Sequence, residues 1–155
     1  MRGGVVIVNL AEFERAVEAF ATDIERGCIG VVQQTCLDGA EHARAVGQFQ
    51  DRTGALRASI HAFPTVRIER GAKGSFGTTK SYAAIVEGGS RAHEIRARRR
   101  AALRWEDAGG VHFARVVQHP GTKPLPFMGP GAIKAEQALH ARTAVMVANA
   151  IRRAS

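Results

Sequence analysis

His119-Pro-Gly-Thr-Lys-Pro-Leu-Pro-Phe-Met-Gly-Pro130 divides a region that reads as strands from one that reads as helix. Four of the five prolines of the chain lie in it: Pro120, Pro124, Pro126 and Pro130. Each fixes its own φ and pushes the preceding residue out of the helical region. The stretch is therefore expected to be a stiff, extended arm with no hydrogen-bond ladder of its own. A floppy linker is rich in Gly and Ser. This arm carries Leu125, Phe127 and Met128 instead, side chains suited to docking at a fixed angle. It reads as a rigid strand-to-helix connection, or as one that also lies at an interface.

Downstream, residues 132–152 read as an alanine-rich helix with Ile133, Leu139, Val145, Met146 and Ile151 as its bulky members. Arg152 and Arg153 suit its negative end. Upstream, residues 55–118 read as four to five antiparallel strands. Leu56, Ala58, Ile60 and Ala62 alternate with Arg57, Ser59, His61 and Phe63, the period of a strand. Pro64 interrupts the pattern, and Val66 and Ile68 resume it. Residues 71–79 read as a flexible, turn-rich hairpin tip, and residues 82–87 as a more buried strand. Residues 93–105 have one apolar and one basic face at period two, broken by Arg99. They read as a strand or a long basic hairpin, looping near Arg98, Arg99 and Arg100. A turn at 107–110 leads into a last strand over 111–118.

Residues 9–46 have a different period. Leu10, Phe13, Val17, Phe20, Ile24, Cys28, Val31 and Thr35 recur at steps of three and four, one face of an amphipathic helix. Asn9 is placed to cap it, with Glu12 at the capping-box position. Gly27 and Gly30 weaken its middle and favour a bend there. Residues 1–8 read as an arm or a short strand. The expected fold is a single α+β domain over residues 1–155. A long N-terminal helix precedes an antiparallel sheet of four to five strands, and a C-terminal helix packs on the same face.

A chain of 155 residues with 45% apolar content can bury a real core. That core is expected to be aliphatic, with Phe13, Phe20, Phe63, Trp105, Phe113 and Phe127 as its larger pieces. The longest aliphatic run, residues 5–8, is far shorter than the roughly 20 apolar residues of a membrane span. Arg2 precedes that run, but Glu12 and Glu14 follow too soon for a signal peptide, so a soluble protein made in the cytoplasm is expected. Cys28 and Cys36 stand about 12 Å apart along a helix, too far for a disulfide, and read as small apolar residues. The net charge of +8 is unevenly spread. Residues 1–50 hold four Arg and seven Asp or Glu, whereas residues 51–155 hold 18 Lys or Arg and seven Asp or Glu. An acidic front and a basic remainder suit head-to-tail pairing between copies, or a polyanion.

No catalytic, cofactor-binding or metal-binding constellation is legible. His93-Glu94 lacks the second histidine of a zinc helix, and the other histidines are scattered. The glycine-rich stretch 71–77 contains Lys73 but not the order of a phosphate-binding loop. Between Arg91 and Arg104 lie six arginines against one glutamate. They read as a solvated face, or as a sequence-independent contact with phosphates. No aromatic residue is interleaved before Trp105 and no helix offers major-groove readout, so stacking and base reading are not indicated.

Four short motifs then occur in a telling order. Asp51-Arg-Thr-Gly-Ala-Leu-Arg-Ala-Ser-Ile60 follows the long helix, and Tyr82-Ala-Ala-Ile-Val-Glu-Gly-Gly89 comes next. His93-Glu-Ile95 with Ala102-Leu-Arg-Trp105 leads to Val116-Val-Gln-His-Pro-Gly-Thr-Lys-Pro-Leu-Pro-Phe127. Over residues 45–130 this order and spacing resembles the head–tail joining family of tailed phages. That family comprises the tail-completion or minor tail proteins of lambdoid-type siphophages, and also occurs in prophages and gene-transfer agents. The resemblance implies a structural virion protein and not an enzyme. It implies assembly in the host bacterial cytoplasm into a homo-oligomeric, commonly hexameric, ring in the virion neck. The partners implied are a head-closure or portal-side neck protein, a tail terminator or tail-tube protein, and double-stranded DNA passing non-specifically through the lumen; no membrane is involved. Arg96, Arg98, Arg99 and Arg100 would then line the channel or face an acidic neighbouring ring. Pro120, Lys123, Leu125, Phe127 and Met128 would form an inter-subunit arm. The alternatives are a tail terminator that caps the tube and, from another class, a sequence-independent nucleic-acid-binding module.

Overall fold

A computed structural model describes residues 9–154; the arm or strand expected over residues 1–8 lies outside the described residues. The first helix, α1 (Leu10–Val46), has 37 residues, a length of about 55 Å. It runs as one continuous helix through Gly27 and Gly30. Asn9 takes the N-cap position with an extended backbone, but its side chain makes no capping bond. Its carbonyl accepts the N–H groups of Glu12 and Phe13 instead, each at 3.1 Å.

The chain leaves α1 through a tight turn that closes one helix and opens another. The Arg57 guanidinium reaches back to the carbonyl oxygens of Arg44 and Gly47, satisfying the last turn of α1. The Asp51 carboxylate accepts the Arg57 N–H at 2.8 Å, and Thr53 Oγ1 accepts that of Ala55 at 3.3 Å. Side-chain oxygens of this kind satisfy the free N–H groups that open a helix. Residues Ala55–Ser59 accordingly form a short helix, α2, where alternation predicted a strand.

The strands form two long hairpins, each made of two nested antiparallel pairs, where a single sheet was expected. In the first, β1 (Ile60–Ala62) pairs with β4 (Phe76–Thr78), and β2 (Val66–Ile68) pairs with β3 (Gly71–Lys73). Pro64 has no N–H to give, and the ladder breaks around it. There the Phe63 N–H donates to the Ser75 carbonyl at 2.8 Å, and the Thr65 N–H turns to the Gln33 side chain of α1 at 3.1 Å. Residues 71–79 are thus the returning limb of this hairpin, not a flexible tip. The second hairpin comprises β5 (His93–Arg96), β6 (Leu103–Asp107), β7 (Gly110–Ala114) and β8 (Val116–His119), with β6 on β7 and β5 on β8. Between the hairpins, Ala83–Gly88 is a short helix, α3, and not the buried strand expected. Six residues are too few for apolar period to separate the two.

The last helix, α4 (Met128–Ala154), begins earlier than the expected residue 132. Pro130 stands in its first turn, where a missing N–H costs nothing. It lies antiparallel along α1: Arg142 bonds Asp38 at 2.6 Å, and Arg153 meets Asp23 at 3.4 Å. The approach is close because glycines line it. A Cβ at Gly39 would fall 3.0 Å from the Ala135 Cβ of α4, and one at Gly131 would fall 2.7 Å from the Gly39 carbonyl oxygen. The architecture is α+β, with its core at the foot of the helix pair. Ala40, Ala43, Phe49, Leu56, Ile60, Ala83 and Phe127 form that core, and Phe76, Val86 and Met128 pack against it. Phe49, unremarked in the sequence, sets its ring edge-on to Phe127 at 5.0 Å. Phe13, Trp105 and Phe113, expected inside, are exposed.

Candidate functional site

The proline arm docks on its own chain. Phe127 is fully buried, and Met128 packs beside it. Glu87, at the end of α3, accepts the N–H groups of Phe127, Met128 and Gly129 at 2.7, 2.9 and 3.0 Å. Burial alone would push the Glu87 carboxyl up; the three donors outweigh it and hold it below the usual carboxylate range. The Leu125 N–H donates to the Val86 carbonyl at 2.9 Å. Of the residues expected to form an inter-subunit arm, Phe127 and Met128 are therefore used internally. Pro120, Lys123 and Leu125 remain at the surface.

The second hairpin leaves the body at a narrow waist. Ser90 and Thr122 exchange backbone bonds of 3.0 and 3.1 Å, and their hydroxyls meet at 3.1 Å. Gly89 and Gly121, with φ of +72° and +89°, flank this crossing. Beyond it no residue of 93–119 is buried, and the strands mainly touch one another. At the base, the His93 and His119 rings face each other 5.1 Å apart. His93 Nδ1 donates to the Arg91 carbonyl at 2.9 Å, and His119 Nδ1 accepts the Gly121 N–H at 3.0 Å. At the tip, Asp107 accepts the Gly109 N–H at 2.8 Å and faces His112 Nε2 at 2.9 Å, contacts that lower its carboxyl pKa. His112 in turn stacks on Trp105 at 5.2 Å.

The arginines are not a uniform strand face. Arg96 is paired with Glu94, and Arg104 lies 3.7 Å from Glu106. Arg98, Arg99 and Arg100 stand on an excursion, residues 97–102, set opposite the single residue Arg115 on the other limb. The Ala97 N–H donates to the Arg115 carbonyl at 3.0 Å and closes the excursion at one end. These three guanidinium groups are exposed, and no ion pair engages them among the described residues. Val111, Phe113 and Val116 are exposed on the same hairpin.

Two further features have no counterpart in the expected sites. The first turns of α1 run on past the level at which Arg153, near the end of α4, meets Asp23. On this overhang Leu10, Phe13 and Val17 are 65%, 61% and 49% exposed. Their periodicity was plain, but not that nothing in the described chain covers them. Beside the overhang, α1 and α4 enclose a groove of about 610 Å³. Gly27, Gly30, Val31, Val145, Met146 and Ala150 give it an apolar floor, and Arg26, Arg142 and Arg153 stand on its rim with Asp23. The Asp38 carboxyl beneath it would be raised by burial, but bonds from Arg142 and Gln34 and the charges of Arg142 and Lys134 lower it.

Among the described residues, no three His, Cys, Asp or Glu side chains converge as a metal site, and no helix is long and apolar enough to cross a membrane. Cys28 and Cys36 are both free, and burial pushes the Cys36 thiol up. No family model, curated protein or solved structure matches the chain.

Proposed function

We propose that this chain is a structural subunit of the tailed-phage neck, a tail-completion or head–tail joining protein that assembles as a ring of copies around the passing genome. The ordered motifs between Asp51 and Phe127 supply the family; the second hairpin supplies the physical support. Among the described residues it holds Arg98, Arg99 and Arg100 without an ion pair, on an element that contributes no buried residue to the core. Three adjacent exposed cations suit a phosphate backbone or an acidic neighbouring ring, both read by charge alone. A closed ring needs two different complementary patches per subunit, and the acidic end of α1 and the basic second half provide opposite charges for them. Native mass spectrometry of the full chain, alone and with tail-tube protein, tests the reading. Rings or tube-bound complexes are expected; a monomer that never enters tails or particles would sink it.

Two rivals use the same surface. A tail terminator differs in phenotype: its loss gives overlong tails, whereas loss of a completion protein gives tails of normal length that fail to join heads. A nucleic-acid-binding module requires those arginines for a steeply salt-dependent affinity. Duplex binding that survives reversal of all three to glutamate rules it out.

A further inference from the structure

The overhang of α1 and the α1/α4 groove fit one another. Residues 10–22 span about 19 Å of helix, and the groove runs along residues 23–34 of α1, about 18 Å. The overhang presents Leu10, Phe13 and Val17 with Glu12, Glu14 and Glu18 against Arg15, a net charge of −2. The groove presents an apolar floor with Arg26, Arg142 and Arg153 against Asp23 and, beneath it, Asp38, a net charge of +1. The Arg142 guanidinium bonds Asp38, so Arg26 and Arg153 carry the exposed positive charge of the rim. A Cβ built on Gly30 meets nothing within 4 Å, which leaves the mouth of the groove open.

We propose that the overhang of one copy docks in the α1/α4 groove of the next. The proposal rests on reading the chain as a self-assembling subunit, and it names the contact. Both surfaces lie on every copy but are different surfaces, so the contact is heterologous and propagates head to tail, closing as a ring where its rotation returns on itself. Overhang against overhang is disfavoured, because it sets glutamates against glutamates around the apolar stripe. The second hairpin is the weaker recipient: its apolar residues lie on an exposed ribbon, not in a concave seat.

Two variants of the full chain separate the halves of the interface. Leu10→Asp with Phe13→Asp spoils the overhang at exposed positions and leaves the groove intact. Gly30→Leu places a side chain in the mouth of the groove, at a position where a Cβ meets nothing within 4 Å, and leaves the overhang intact. Circular dichroism spectra matching the wild type, with cooperative melts, show that each variant folds. In mass photometry across a concentration series, each variant alone is expected to associate at least about thirtyfold more weakly than wild type, the loss typical of a central hot spot. Mixed together, they are expected to form a one-to-one dimer and nothing larger, because one good overhang meets one good groove. As a second readout, Phe13→p-benzoyl-phenylalanine in the wild-type background is expected to photocrosslink to residues 141–153 of a second copy. Variants that assemble like wild type, a mixture that stays monomeric, or crosslinks elsewhere overturn the proposal while leaving ring assembly standing. A wild-type chain that stays monomeric, alone and with tail-tube protein, overturns both.

Discussion

The two hairpins share a design and differ in fate. Each is a nested pair of two-stranded ladders broken halfway, at Pro64 and Ser75 in one, and at residues 97–102 and Arg115 in the other. The first lies against α1. Ile60 is fully buried, the Phe76 ring covers Gly39, and Gly74 sits where a Cβ would strike Val32 and Cys36. The second stands free of the helix pair, with seven arginines and three acidic residues between positions 91 and 119. Strand pairing satisfies the backbone equally in both, so it cannot decide where a ribbon goes. The side chains left over decide. One fully buried Ile contributes about 1.5–3 kcal/mol, whereas burying unpaired guanidinium groups would cost far more. The first hairpin is therefore part of what holds the molecule together, and the second is what the molecule displays.

The sharpest way to break that contrast is to truncate one phenylalanine from each side of it. Phe127→Ala, in the docked region, is expected to lose about 3–5 kcal/mol in urea unfolding. Phe113→Ala, on the displayed hairpin, is expected to stay within about 0.5 kcal/mol of wild type. Equal losses would mean that the second hairpin packs on the body after all. Next in size is Glu87→Gln, which weakens three bonds at the start of α4; about 1.5–3 kcal/mol is expected. The folded-state pKa of Glu87 is depressed, so its contribution is present above the unfolded carboxylate value and lost as pH falls through the folded one. Stability followed downward from pH 5 should therefore fall more steeply in wild type than in Glu87→Gln. Gly131→Ala drives a methyl against the Gly39 carbonyl and Ala43, and is expected to cost about 1–3 kcal/mol. The smallest stability effect belongs to replacing Arg98, Arg99 and Arg100 together by alanine. Unfolding should be unchanged, while retention on a duplex column loses up to about 0.9 of salt slope for each phosphate contact removed.

How far the sequence revealed this contrast depends on pattern length. The two long helices repeat their apolar period over many turns, and both formed where the pattern put them, the second starting four residues earlier. Residues 55–59 and 82–88 are too short for period to speak, and there β-like composition was overruled. Asp51 and Thr53 cap one helical turn, and Ala83 is buried in the other. The glycines of 71–77 misled for another reason. Glycine signals both slackness and close approach, and only the presence of α1 beside Gly74 shows which applies. The second hairpin was recognisable as basic and looping near residue 98. The overhang of α1 is the deepest ambiguity. Leu10, Phe13 and Val17 have the same spacing whether the surface they meet is their own chain or another, so period identifies the stripe and not its cover. The arm at 119–130 was legible as the connection between strand and helix, but its docking was decided by Phe49 and Glu87, which lie 78 and 40 residues away from Phe127.

The waist of the second hairpin is a close crossing of two backbones. A methyl on Gly89 would lie 2.5 Å from the Thr122 carbonyl oxygen, and one on Gly121 would lie 2.3 Å from that of Ser90. Two backbones crossed this tightly, and riveted by the Ser90–Thr122 bonds, cannot slide past each other. Glu87 sits two residues from Gly89 and grips the first turn of α4. The crossing therefore fixes where the second hairpin leaves the body, and Glu87 ties that point to the first turn of α4.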